Sequence, residues 1–209
     1  MTTATLTTPD GTLARLDADA QDALFRRPRT ARAWSDAPVP DELVEHVHDL
    51  VRWNPTAFNS SPMRLLVVRS QDARSRLAAH MSPANRERVL GAPLTLVVAA
   101  DTDFHEHLPR LAPHMPDARE RFDGDPASRE RLARDNAWLQ AGYLLVALRA
   151  QGLEVGPMSG LDAPGVDADL LAGTAWRTLM VVNVGWPAAE PAHHPRADRL
   201  ALADVARTV

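Results

Sequence analysis

Residues Trp138–Leu148 read WLQAGYLLVAL and form the middle of the strongest helical pattern in the chain, Ser128 to Gln151. Across them only Gln140, Gly142 and the Tyr143 hydroxyl break an apolar surface. A surface helix carries one apolar stripe, whereas a helix apolar nearly all round has to be covered on more than one side. In a chain of 209 residues, one side packs on a sheet and another on a second copy of the chain, which predicts a homodimer. The competing reading is a central helix enclosed within a monomer.

The elements around this helix read as alternating helices and strands. Upstream, Asp41–Trp53 (DELVEHVHDLVRW) places Leu43, Val44, Val47, Leu50 and Val51 on one stripe, and Pro55 ends it. Leu65–Arg69 reads as a strand, Gln71–Met81 and Ala84–Leu90 as helices, and Leu94–Ala100 (LTLVVAA) as a buried strand. Asp101–Asp125 differs: its prolines, histidines and charges suggest a partly helical surface insertion, either a lid or a solvated excursion. Downstream, Gly152 caps the long helix and Leu153–Val155 starts a short extended piece before GPMSG. A short helix around Val166–Leu171, a buried strand Thr178–Gly185 and a proline-rich tail follow.

Composition points to one globular domain over residues 1–209, with 1–20 a flexible N-terminal segment: 45% of residues are hydrophobic and 24% charged. A net charge of -4 gives no reason to expect nucleic acid or an anionic membrane as partner. Without cysteine there is no disulfide or thiolate nucleophile, which leaves the chemistry to other groups or to a cofactor. The N-terminus has no signal-peptide pattern and no apolar run reaches membrane-spanning length, so the expectation is a cytoplasmic enzyme or binding protein.

Four stretches carry candidate chemistry. In RPRTARAW, Arg29 and Arg32 flank Thr30 and suit a phosphate; the alternative is an exposed basic turn. WNPTAFNSSP, Trp53–Pro62, offers an amide and hydroxyls to a planar ligand on a proline-fixed loop, or is simply a helix-to-strand turn. GPMSG, Gly156–Gly160, allows backbone N–H groups close to a ligand, or is a plain turn. Arg196 and Arg199 provide a second phosphate grip or a solvated tail. His105, His107, His114 and the pair His193-His194 match no metal-site spacing, so no metal is expected. There is no GxSxG elbow, Rossmann or P-loop pattern, and Trp34, Trp138 and Trp176 read as core or interface residues.

In this order the stretches resemble the nitroreductase family of FMN-dependent oxidoreductases, from about Arg29 to Leu200. The likeness is nearest to its malonic semialdehyde reductase subgroup, on WNPTAFNSSP, NRERVLGAP (Asn85–Pro93), LPRLAPH (Leu108–His114), Gln140–Leu153 and GPMSG. The resemblance implies an α+β nitroreductase-like fold, with a central mixed β-sheet flanked by helices, in an intertwined homodimer with FMN sites built from both subunits. It assigns Arg29, Thr30 and Arg32, with Arg196 and Arg199, to the phosphate and ribityl chain, and Asn85 and Arg88 to the ribityl chain and the pyrimidine edge. It assigns Pro55, Thr56, Asn59 and Ser61 to a loop offered by the partner, and Pro157, Ser159 and Gly160 to the turn facing flavin N5. Pro28 and Ser61 depart from the pattern, where many relatives carry a basic residue and Gln. The implied activity is ping-pong hydride transfer from NADPH or NADH through FMN to a small carbonyl compound such as 3-oxopropanoate, giving 3-hydroxypropanoate. Nitroaromatic or quinone reduction, a flavin-dependent dehydrogenase of a specialised metabolite and a non-catalytic flavin-binding protein are the alternatives. The resemblance also has the 101–125 insertion cover the flavin face.

Overall fold

The computed structural model describes residues 15–190 and 194–209. Of the segment expected to be flexible, residues 1–14 lie outside the described residues, and Ala18–Gln21 form the first helix, α1. The other helices are α2 (Asp41–Val51), α3 (Gln71–Ala79), α4 (Pro83–Gly91), α5 (Leu108–Leu111), α6 (Ala118–Asp123), α7 (Pro126–Ala150), α8 (Ala163–Leu170) and α9 (Leu202–Val205). The strands β1 (Met63–Val68), β2 (Leu94–Asp101), β3 (Glu154–Met158) and β4 (Trp176–Gly185) form a sheet in the order β1-β2-β4-β3.

Every ladder of this sheet is antiparallel among the described residues, which corrects the mixed pairing that the resemblance implies for the sheet of one chain. The connection between β1 and β2 explains one pairing: α3 and α4 pack on each other and return the chain to the end it left, so β2 runs back along β1.

Both faces of the sheet are covered, which is why β2 and β4 read as unbroken apolar runs rather than alternating ones. Leu94, Leu96 and Val98 join Met180, Val182 and Val184 under α2 and α7. Val97 and Val181 point the other way, into a core with Leu77, Val89 and Val166 from α3, α4 and α8. At the end of the sheet the β2/β4 register slips by one residue, leaving Leu179 unpaired between Met180 and Thr178. Leu179 and Ala100 then enter a third core, with Phe104, Leu108 and Phe122 against Ala133 and Ala137 of α7. The 101–125 segment is therefore a packed lobe, not a solvated excursion.

The long helix α7 divides sharply. Ala137, Gln140, Ala141, Leu144 and Leu148 are buried against the sheet and α2, while Trp138, Leu139 and Tyr143 remain 42%, 45% and 46% exposed. Gly152, at φ +75°, ends the helix, with Leu153 N–H donating back to the Leu148 carbonyl at 3.2 Å, a glycine-capped C-terminus. GPMSG is a turn only in its second half, because Gly156–Met158 lie in β3, where an edge position tolerates Pro157.

Leu144 is 1% exposed in the largest of these cores. Leu144→Ala is expected to lower stability by about 2–5 kcal/mol, read from the denaturant midpoint.

Candidate functional site

A segment that crosses the edge of the sheet builds a strongly cationic cleft. Ala31 N–H donates to the Val155 carbonyl at 3.0 Å, which ties the Arg29–Arg32 stretch to β3. Trp34 then donates from Nε1 to the Glu154 carbonyl at 3.2 Å. Glycines in β3 and β4 make room for this crossing: a Cβ on Gly156 would lie 2.8 Å from the Ala31 carbonyl oxygen, and one on Gly185 would lie 2.7 Å from Trp34 Cδ1. The tail comes back to the same place, where Arg29 donates to the His194 carbonyl at 2.7 Å, Arg32 meets the His194 ring and Arg196 reaches the Arg26 carbonyl.

The resulting cleft, about 960 Å³, is lined by Arg29, Thr30, Arg32, Arg88, Arg196 and Arg199, and no lining residue is acidic. Arg88 is positioned from the middle of the sheet: Thr95 donates to Asn183 at 2.8 Å, and Asn183 donates to the Arg88 carbonyl at 2.8 Å. Burial, and secondarily the neighbouring Arg32, lower the Arg88 pKa from its ordinary value; an arginine still remains charged. Sequence reasoning missed Arg149, which lines this cleft from the last turn of α7; its Nε is buried without a hydrogen bond and burial lowers its pKa. Next to Arg88, Asn85 donates to the Gly160 carbonyl at 3.3 Å and accepts from Arg88 at 3.5 Å. Ser159 and Gly160 are exposed beyond the end of β3, and Pro157 is half-buried within it.

The loop WNPTAFNSSP is held elsewhere, and under backbone strain. Phe58, Asn59 and Ser61 have φ of 58°, 52° and 42°, a region that disfavours residues with a side chain. Two amides one turn apart on the buried face of α7 hold it there. Asn136 Oδ1 accepts from Ala57 N–H at 2.7 Å; Gln140 accepts from Met63 N–H at 2.9 Å and donates to Asn54 at 3.3 Å. Within the loop, the Thr56 hydroxyl accepts from Ser61 N–H at 3.1 Å. Asn59 donates to the Leu111 carbonyl at 2.9 Å, which joins the loop to the 101–125 lobe, and Phe58 meets Phe122 edge-on at 5.3 Å. A polar break on a buried helix face must find partners, but Gln140 reads in sequence only as an interruption and Asn136 was not read at all.

Asn59 and Ser61 line a second cleft of about 730 Å³, which shares no lining residue with the first. Pro55 and Thr56 line neither. The candidate residues thus fall into two groups among the described residues, and neither cleft is lined by members of both. Among the described residues no group of three His, Asp or Glu is placed to hold a metal; His193 lies outside them.

Comparison with known proteins follows the same lines. Residues 26–186 match the model of the nitroreductase family. A Streptomyces coelicolor protein provisionally named NADH dehydrogenase/NAD(P)H nitroreductase is 49% identical over 194 residues, 93% of this chain and 98% of that protein. A crystal structure of a provisionally named nitroreductase from Bacillus subtilis aligns with TM-score 0.80 and 20% identity, over 89% of this chain and 97% of that one. Another, from Exiguobacterium sibiricum and described as a complex with FMN, aligns with TM-score 0.76 and 16% identity over 94% of this chain and 100% of that one. At these identities the two structures speak for the fold.

The strained loop makes a prediction of its own. Ser61→Gly is expected to leave stability unchanged or raise it, whereas Ser61→Val lowers it, the two variants differing by about 1–2 kcal/mol in denaturant unfolding.

Proposed function

The chain belongs to the nitroreductase family, and from that premise we propose that it is an FMN-dependent NAD(P)H oxidoreductase whose flavin site is completed by a second copy of the chain. The observation that carries this reading is that Arg29, Thr30, Arg32, Arg88, Arg196 and Arg199 line one cleft while Asn59 and Ser61 line another that shares no residue with it. A site made from both groups needs two subunits. The exposed stripe of Trp138, Leu139 and Tyr143 on α7 supplies an apolar face for the second one.

The first cleft fits the phosphate end of FMN. Its converging guanidiniums repel one another, and a doubly charged anion relieves that repulsion while accepting charge-assisted hydrogen bonds. Arg29, Arg32, Arg196 and Arg199, with Thr30, would hold the phosphate; Asn85 and Arg88 would face the ribityl chain and pyrimidine edge. Pro157, Ser159 and Gly160 would present backbone to the ring near N5. The partner's copy of the loop, with Pro55, Thr56, Asn59 and Ser61, would close over it. Bound there, FMN would supply the chemistry of hydride transfer between NADPH or NADH and an acceptor. No protein nucleophile is needed, in keeping with a chain without cysteine.

The proposed acceptor is a small carbonyl compound such as 3-oxopropanoate, reduced to 3-hydroxypropanoate. The name of the Streptomyces relative supports nitroaromatic reduction as a second reading. A cytoplasmic location is part of the same proposal; no helix among the described residues is long and apolar enough to cross a membrane.

Purified protein should be yellow, or become so with FMN, and should oxidise NADPH or NADH with 3-oxopropanoate or a nitroaromatic. A protein that neither carries nor takes up FMN would falsify the proposal. Arg29→Ala combined with Arg32→Ala removes two charge-assisted contacts of about 1.5–3 kcal/mol each. FMN retention should fall at least about a hundredfold by ~1.4 kcal/mol per decade, and unchanged retention would show the phosphate lies elsewhere. Leu139→Glu should shift sedimentation from dimer to monomer and lose FMN with it; a dimer that keeps both would sink the shared-site reading.

A further inference from the structure

The second cleft carries more charge than contact with a flavin ring requires. Besides Asn59 and Ser61 it is lined by Arg52, Arg64, Arg110 and His107, and no lining residue is acidic. Arg64 is already engaged: it donates to Asp101 at 2.6 Å and to the Ser61 and Met63 carbonyls at 2.9 and 3.0 Å. Arg110 and His107 make no side-chain hydrogen bond or ion pair among the described residues. Arg52 has one long contact, 3.6 Å to Asp49, and otherwise lies over the Trp53 ring at 5.2 Å.

A lone exposed arginine is ordinary solvated surface. Here two come from different elements, Arg52 from the end of α2 and Arg110 from α5, onto one concave surface. The bond from Asn59 to the Leu111 carbonyl fixes the loop against the residue next to Arg110. Trp53 and Trp176 line the same cleft, so it offers an apolar wall beside the cations. Guanidinium groups beside an aromatic wall suit a small molecule with a flat or hydrocarbon body and an anionic end.

We infer that this cleft recognises the anionic group of a second reactant, with Arg110 and Arg52 as its donors. The inference rests on the reading above, which sets Asn59 and Ser61 beside the flavin of the partner. A carboxylate on the acceptor and a phosphate on the nucleotide donor share this chemistry. Arg110 sits in the 101–125 lobe, so the lobe selects by charge as well as by size.

Titration calorimetry on the purified protein, saturated with FMN wherever it binds it, tests this with matched probes: benzoate against benzamide, and adenosine 2′,5′-bisphosphate against adenosine. One anion should bind at least tenfold more tightly than its neutral analogue, and Arg52→Gln with Arg110→Gln should remove about a factor of ten of that preference. Preference within the benzoate pair assigns the cleft to the acceptor; preference within the bisphosphate pair assigns it to the nucleotide. Equal binding in both pairs, or a preference untouched in the double variant, overturns the inference. Circular dichroism and elution volume confirm that the variant is folded and assembled. FMN content and NADPH consumption with nitrobenzene are read on the same wild-type sample. A protein that turns over without anion preference loses this inference alone, and one that takes no flavin loses the functional reading, while the binding arms report in either case.

Discussion

A buried amide has to be satisfied, and Asn136 and Gln140 impose that requirement on everything around α7. Their hydrogen bonds to Ala57, Met63 and Asn54 decide where the chain leaves α2 and where β1 begins. Between those fixed points three residues with side chains take left-handed backbone angles. Strain of about 1–3 kcal/mol per residue survives only where its surroundings over-determine it. Here the surroundings are two amides, a threonine hydroxyl and an aromatic contact. The loop is held by the buried face of the helix behind it, so its precision is borrowed from the core.

The cationic cleft depends on a different constraint, close approach. The Arg29–Arg32 stretch reaches β3 because Gly156 and Gly185 present no side chain to Ala31 and Trp34. The buried Thr95–Asn183 pair extends the same support to Arg88, carrying order from the centre of the sheet to a guanidinium at its rim. Both halves of the candidate site are thus outposts of one scaffold, reached by hydrogen bonds from buried polar residues rather than by loops folding on themselves.

Much of this was legible in the residues. LTLVVAA and TLMVVNVG, apolar without alternation, read correctly as strands covered on both faces, and α7 announced itself by its length and composition. Gly156–Met158 did not read as strand, since glycine and proline argue against one, and only the edge position of β3 permits them. The mixed sheet came from likeness, not from the residues, and the chain's own ladders run otherwise. Asn136 and Arg149 went unread because their importance lies in what they face, which no spacing reveals. Arg29 and Arg196 meet in one cleft from opposite ends of the sequence, a proximity that only the ordered set of motifs suggested. The separation of Asn59 and Ser61 from the arginines within one chain was not legible in the residues themselves, and only the resemblance, which assigns that loop to a partner, anticipates it.

The unpaired Leu179 has a consequence for how such a chain can change over generations. By putting β4 one residue out of step before the last three pairs of the ladder, it turns Leu179 toward the third core, beside Ala100, and leaves the two sheet cores complete without it. The 101–125 lobe is thereby a module joined to the scaffold at a seam. Lengthening, trimming or exchanging it alters what may enter the second cleft while the strands keep their partners, and selectivity can drift without the fold having to be solved again.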